Sequence, residues 1–150
     1  MTSNYECLCK KLALLEIATL LKYKESRPSE GKYVNSVGYK DAYRDTLQDK
    51  VPYSDIDWDE EPYRNFKLLA EKPPKRLKIK DGHPKFVPIS KVTCWSAFID
   101  SFRQLRNNLV HGAKFLKETY PELEDRDEEL INAGLAFISF LEDKGLINLQ

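Results

Sequence analysis

The 150-residue chain is short of several things at once: three cysteines, one methionine, six glycines, no long apolar run and no net charge, with 24 Lys plus Arg against 24 Asp plus Glu. Each shortage excludes something. Cys7, Cys9 and Cys94 are odd in number and spaced C-x-C plus one distant residue, which fits neither a disulfide framework nor a zinc site, so they are expected to be reduced and mostly buried. Without an apolar stretch near 18 residues, no membrane span is expected. Zero net charge means that no global field draws the molecule to a polyanion, and any nucleic-acid contact must come from a local patch. The N-terminal stretch has an acidic residue ahead of its apolar part and lysines within it, unlike a signal peptide, so a cytoplasmic location is expected.

With 41% hydrophobic residues and 32% charged, the length suits one folded domain spanning 1–150. Ser3 followed by Glu6 reads as a capping box opening a first helix over Asn4 to about Lys24. Its apolar residues cover more than one stripe. Such a helix is expected to be buried on two sides, the second against another subunit. Tyr39, Ala42, Tyr43 and Leu47 recur at helical spacing and allow a short helix. Asp59 can cap a third, with Pro62 in its first turn and Tyr63, Phe66, Leu69 and Ala70 along it, stopped by Pro73 and Pro74.

Between Arg76 and Ile89, RLKIK and KFVPI flank Asp81-Gly82, so this excursion is a small hairpin or an ordered loop, with Pro84 and Pro88 weighing against strands. Ser90 to Val110 is the most clearly periodic segment, with Trp95, Phe98, Ile99, Phe102, Leu105 and Leu109 on one face. Asp125 with Glu128 opens a final helix carrying Leu130, Ile131, Leu135, Ile138 and Leu141, and Gly145 closes it. The expected fold class is all-α, a bundle of four to five helices with one irregular or hairpin excursion around 73–89.

On a wheel of about 100° per residue with Trp95 at zero, the apolar residues of the long helix occupy an arc from about 280° to about 60°, and Arg106 falls near 20°. This arginine is expected in a packed seam or an interface, which leaves three arrangements: an anionic partner, a snorkelling stem or a ligand phosphate. Ser96, Asp100, Arg103, Asn107 and His111 form a polar stripe between about 80° and 160°. Asn107, one turn before His111, is placed to orient the ring, and Gly112 is a natural end for the helix. Imidazole at a helix C-terminus is suited to both take and give a proton.

The string Leu105-Arg106-Asn107-Asn108-Leu109-Val110-His111-Gly112-Ala113-Lys114-Phe115 resembles the signature of HEPN-domain proteins, in which Arg, four to six residues and His sit at the end of a long helix. The following Asp125-Arg126-Asp127-Glu128-Glu129-Leu130 looks like the final-helix opening of some HEPN families, so the resemblance covers about residues 90 to 144. It implies a HEPN-like bundle, a homodimer and a metal-independent, cofactor-free endoribonuclease of a toxin-antitoxin or antiviral defence system, with an antitoxin or inhibitor protein as a further partner. Within it, Arg106, His111 and Asn107 would be the catalytic set. Attack by the ribose 2′-OH would leave a 2′,3′-cyclic phosphate and a 5′-hydroxyl. HEPN toxins controlled by tyrosine modification commonly carry that tyrosine two residues after the histidine, where this chain has Ala113. Some HEPN domains are non-catalytic, so the alternative is a nucleotide- or RNA-binding or scaffold protein.

Lys72 to Lys85 holds six cations against Asp81 alone. Lys75, Arg76, Lys78 and Lys80, with Arg103 and Lys114, are the candidate RNA-binding residues. His83 is expected at the surface of this stretch, and Trp58 in packing. The carboxylates Asp57, Asp59, Glu60 and Glu61 lack a second cluster or a phosphate loop, so no metal site is expected.

Overall fold

The computed structural model describes residues 4–24, 28–32, 37–110 and 127–149, with the side chains of 77, 84, 86, 110 and 127 left aside. In chain order these form α1 (Asn4–Lys22), α2 (Tyr39–Lys50), a one-turn α3 (Leu68–Glu71), the strands β1 (Arg76–Lys80) and β2 (His83–Val87), α4 (Trp95–Val110) and α5 (Asp127–Asp143). The architecture is the expected helical bundle with a hairpin excursion. Ser3, which would cap α1, and Asp125, which would cap α5, lie outside the described residues.

α1 packs on α5 and α2 on α4; α1 buries Leu8, Leu12, Leu15 and Thr19, and α2 buries Tyr39, Ala42, Tyr43 and Leu47. Between the helices lies an aromatic cluster. Phe98 meets Phe137 with centroids 4.9 Å apart, Phe66 meets Phe140 at 5.1 Å, and Trp95 donates its Nε1–H to the Val51 carbonyl at 2.7 Å. Offset and edge-on aromatic pairs of this kind add to what their buried area contributes. Trp58 stacks on Phe98 at 5.9 Å, so its role is packing as expected. At the end of α5, Gly145 takes φ +73°, the Leu146 N–H bonds the Leu141 carbonyl at 3.0 Å and the Gly145 N–H bonds the Glu142 carbonyl at 2.9 Å. This is a Schellman closure, with Leu141 and Leu146 both buried.

The hairpin forms despite its prolines. Asp81 (φ +54°) and Gly82 (φ +78°) make a two-residue turn with both central residues left-handed, the geometry that matches strand twist. Such a turn closes on the hydrogen-bonded pair Lys80↔His83, so the next pair, Ile79↔Pro84, is a non-hydrogen-bonded one. The missing N–H of Pro84 therefore costs no ladder bond, and Pro88 lies beyond the strand. Two strands alone are marginal, and Asn108 of α4 helps anchor them by donating its Nδ2–H to the Lys75 carbonyl at 2.9 Å.

Three expectations need correction. The long helix begins at Trp95, not Ser90: Val92 and Thr93 are β-branched and stiff in a helix, Val92 is drawn into the core, and the Cys94 carbonyl accepts the first helical bond from Phe98. The third helix is not a regular one capped by Asp59, which is exposed and pairs with Lys67. It is a 3₁₀ turn over Tyr63–Phe66 followed by α3, in keeping with Tyr63, Phe66 and Leu69 recurring every third residue. The cysteines are free but not mostly buried: Cys7 and Cys9 are half-buried and Cys94 is exposed ahead of α4. Beyond the face that α1 buries within the chain, Leu14, Ile17 and Leu21 stand at 40%, 60% and 73% exposure, the second apolar side that its sequence carries.

Among the described residues no helix is long and apolar enough to cross a membrane.

Candidate nucleic-acid interface

Consecutive helical residues diverge by about 100°, so Arg106 and Asn107 serve different sides of α4. On the Asn107 side, the hairpin and α4 enclose a groove of about 620 Å³. Arg76 and Lys78 line it from β1, Val87 to Ser90 form its end, and Asp100, Arg103, Gln104 and Asn107 line it from α4. Three cations thus face one carboxylate, and Asp100 is already held by Lys40 through a 3.0 Å ion pair. The groove is electropositive inside a molecule that has no net charge.

Of the candidate RNA-binding residues, Arg76, Lys78 and Arg103 come together here, joined by Asn107 from the candidate catalytic set. Lys80 sits at the exposed tip of the hairpin, beside an exposed His83. Lys75 is half-buried and faces a neighbouring hollow with Ala70 to Pro73 and Lys91. His111 and Lys114 lie outside the described residues, so the full Arg-x4-His pair is not on view.

Arg106 has the first of its three expected arrangements, an anionic partner, supplied by its own chain. Its Nε–H donates to Oε1 of Glu16 at 2.6 Å, and Nη2 donates to Oε2 at 3.3 Å. Glu16 Oε1 also accepts the Tyr39 hydroxyl at 2.8 Å, so one carboxylate ties α4 and α2 to α1. Hydrogen bonding to Glu16 raises the Arg106 pKa above an already high value, and the guanidinium is permanently charged. Burial first, then the Glu16 charge, raises the Tyr39 pKa, which keeps its hydroxyl protonated as a donor. The Glu16 contacts use one edge of the guanidinium. Nη1, on the other edge, reaches Asn107 Oδ1 at a long 3.4 Å, which links the seam to the groove.

Glu16 and Tyr39 were not singled out by the sequence reading. A signal existed: Glu16 is the single acidic residue between Cys7 and Leu21, an isolated charge in an apolar helix. Its partner could not be inferred without knowing that α1 runs beside α4.

Among the described residues no group of three or more His, Cys, Asp or Glu is placed to hold a metal ion. Compared with protein-family models, with curated proteins and with solved structures, the chain matches none significantly.

Proposed function

We propose that the chain is a metal-independent endoribonuclease of the HEPN type, acting in toxin-antitoxin or antiviral defence. The observation that carries this reading is the electropositive groove, which unites Arg76 and Lys78 of β1 with Arg103 and Asn107 of α4, the helix whose sequence leads straight to His111. RNA phosphates would be drawn to the three cations. His111 would transfer the proton of the ribose 2′-OH or of the leaving 5′ oxygen, with a second copy supplying the complementary histidine. Arg106, with one edge fixed by Glu16, would offer the edge beside Asn107 to the scissile phosphate. The reading extends to a homodimer, supported by the apolar row Leu14, Ile17 and Leu21 that a single chain leaves exposed, and to an inhibitory protein partner.

The Glu16–Arg106 bond favours a second reading: a guanidinium already satisfied by a carboxylate is what a non-catalytic RNA-binding or scaffold member would keep. Cleavage of single-stranded RNA in EDTA separates the two. The enzyme reading expects cleavage to cyclic phosphate ends, lowered about 10²- to 10⁴-fold in His111→Ala and abolished by 2′-deoxy substitution at the scissile nucleotide. RNA bound but never cut supports the second reading. Cleavage that needs Mg²⁺ or survives His111→Ala overturns the mechanism.

A further inference from the structure

Residues opposite one another in an antiparallel pair share a face, and alternate residues share it along each strand. The pairs Arg76↔Val87, Lys78↔Lys85 and Lys80↔His83 therefore set four permanent cations and a histidine on one face of the hairpin. Lys78 stands directly across from Lys85, a like-charge pair that works against the hairpin. Some cations elsewhere have carboxylate partners, such as Lys11 with Glu142, Arg44 with Asp45, Arg64 with Glu61 and Lys67 with Asp59 and Glu71, while scattered ones such as Lys50 and Lys91 have none among the described residues. Among the described residues, Arg76, Lys78, Lys80 and Lys85 have none, and all four are exposed.

We propose that this face is a track for the sugar-phosphate backbone of single-stranded RNA, entering at Lys80 and Lys85, passing Lys78 and Arg76, and continuing into the groove at Arg103. The track rests on the RNA-binding part of the function proposed above and not on cleavage. Its spacing fits a single strand: alternate strand residues are about 6.8 Å apart, close to the separation of neighbouring phosphates in an extended strand. A duplex fits poorly. Modules for double-stranded RNA reach across about 16 base pairs, whereas five strand residues cover about 17 Å before the groove begins. In the groove, the side-chain amides of Gln104 and Asn107 line the wall, where unpaired base edges would meet hydrogen-bonding groups.

The test is fluorescence anisotropy of the full chain with a labelled 12-nucleotide single strand whose 2′-hydroxyls are methylated, so that it binds but cannot be cut. Lys78→Gln with Lys85→Gln removes two phosphate contacts, each worth about 0.7 in the slope of log K against log salt for single strands. The slope should fall by about 1.4, which at 0.1 M salt is about 25-fold in affinity. Thermal stability should hold or rise, because the like-charge pair is gone. Lys50→Gln, exposed at the end of α2 and outside the groove, should change affinity less than twofold. An unchanged salt slope, an equal loss from Lys50→Gln, a duplex bound as tightly as the single strand, or binding to phosphatidylserine vesicles without binding to RNA would each overturn the track. Tight binding with no cleavage of unmodified RNA leaves the track standing and removes only the enzyme reading.

Discussion

Replacing Glu16 by alanine strands two donors at once, and the structure sets the size of the effect. Tyr39 is 3% exposed, so its hydroxyl loses its acceptor with little access to water, which costs about 1–3 kcal/mol. The Arg106 side chain is 23% exposed and reaches water in part, so its loss belongs at the low end of the 1.5–3 kcal/mol typical of charged hydrogen bonds. Glu16→Ala should therefore destabilise the fold by about 2–4 kcal/mol. Arg106→Ala should cost less, about 1–2 kcal/mol, because Glu16 keeps the Tyr39 hydroxyl and its own one-fifth exposure to solvent. Adding Tyr39→Phe to Glu16→Ala should recover about 1 kcal/mol by removing the stranded hydroxyl, a non-additivity expected of residues in one network. Urea unfolding followed by far-UV circular dichroism at pH 7 measures all three variants. If Arg106→Ala costs as much as Glu16→Ala, or if Tyr39→Phe brings no relief, Glu16 is not the centre of this network. The order also governs how cleavage by Arg106 variants is read, since loss of folded protein must be separated from loss of chemistry.

A second buried pair tests the same asymmetry. The single Thr19 hydroxyl proton goes to the Leu15 carbonyl at 2.6 Å, so across the 2.5 Å contact Tyr43 must be the donor. Thr19→Val should then cost about 1–3 kcal/mol by orphaning the Tyr43 hydroxyl, and Tyr43→Phe under about 1 kcal/mol; the reverse order in urea unfolding would refute the assignment. If the exposed row on α1 closes a homodimer, Ile17→Asp with Leu21→Asp should convert a dimer into a 17.5 kDa monomer by light scattering, whereas a monomeric wild type at high micromolar concentration would exclude the dimer.

Periodicity was readable wherever one physical effect dominated. Trp95, Phe98, Phe102, Leu105 and Leu109 could share a face only on a helix, and all of them are buried. Asp81-Gly82 specified its turn because both positions need positive φ. Boundaries and partners were harder. Val92 reads as helical by period but is pulled into the core ahead of the helix, and the stretch from Tyr63 to Leu69 has a spacing of three that α-helical and 3₁₀ turns both tolerate. The hairpin residues were recognised as basic, but only the strand register separates Arg76, Lys78, Lys80 and Lys85, which share a face, from Lys75, which does not. The helical wheel puts Arg106 in a seam, where it is half-buried, and the identity of its partner depends on α1 bringing Glu16 beside α4. That is a tertiary fact with no local trace beyond one isolated glutamate.

The last turns of α4 present an electrostatic problem that any phosphate-binding reading must solve. Free carbonyls at a helix C-terminus carry partial negative charge, which works against an anion near the last described turn. Two arginines flank this end, Arg103 on the groove side and Arg106 on the α1 side, but Glu16 cancels most of the field of Arg106. The attraction must then come from Arg103 together with Arg76 and Lys78, and Arg106 is left with a short-range role that depends on the orientation Glu16 imposes. Charge and geometry are thereby divided between the two sides of one helix. The hairpin is what completes the attractive side, because without Arg76 and Lys78 the groove wall of α4 would hold Arg103 against Asp100 alone. An apparent ornament on a helical bundle thus supplies two of the three cations that line the groove, Arg76 and Lys78.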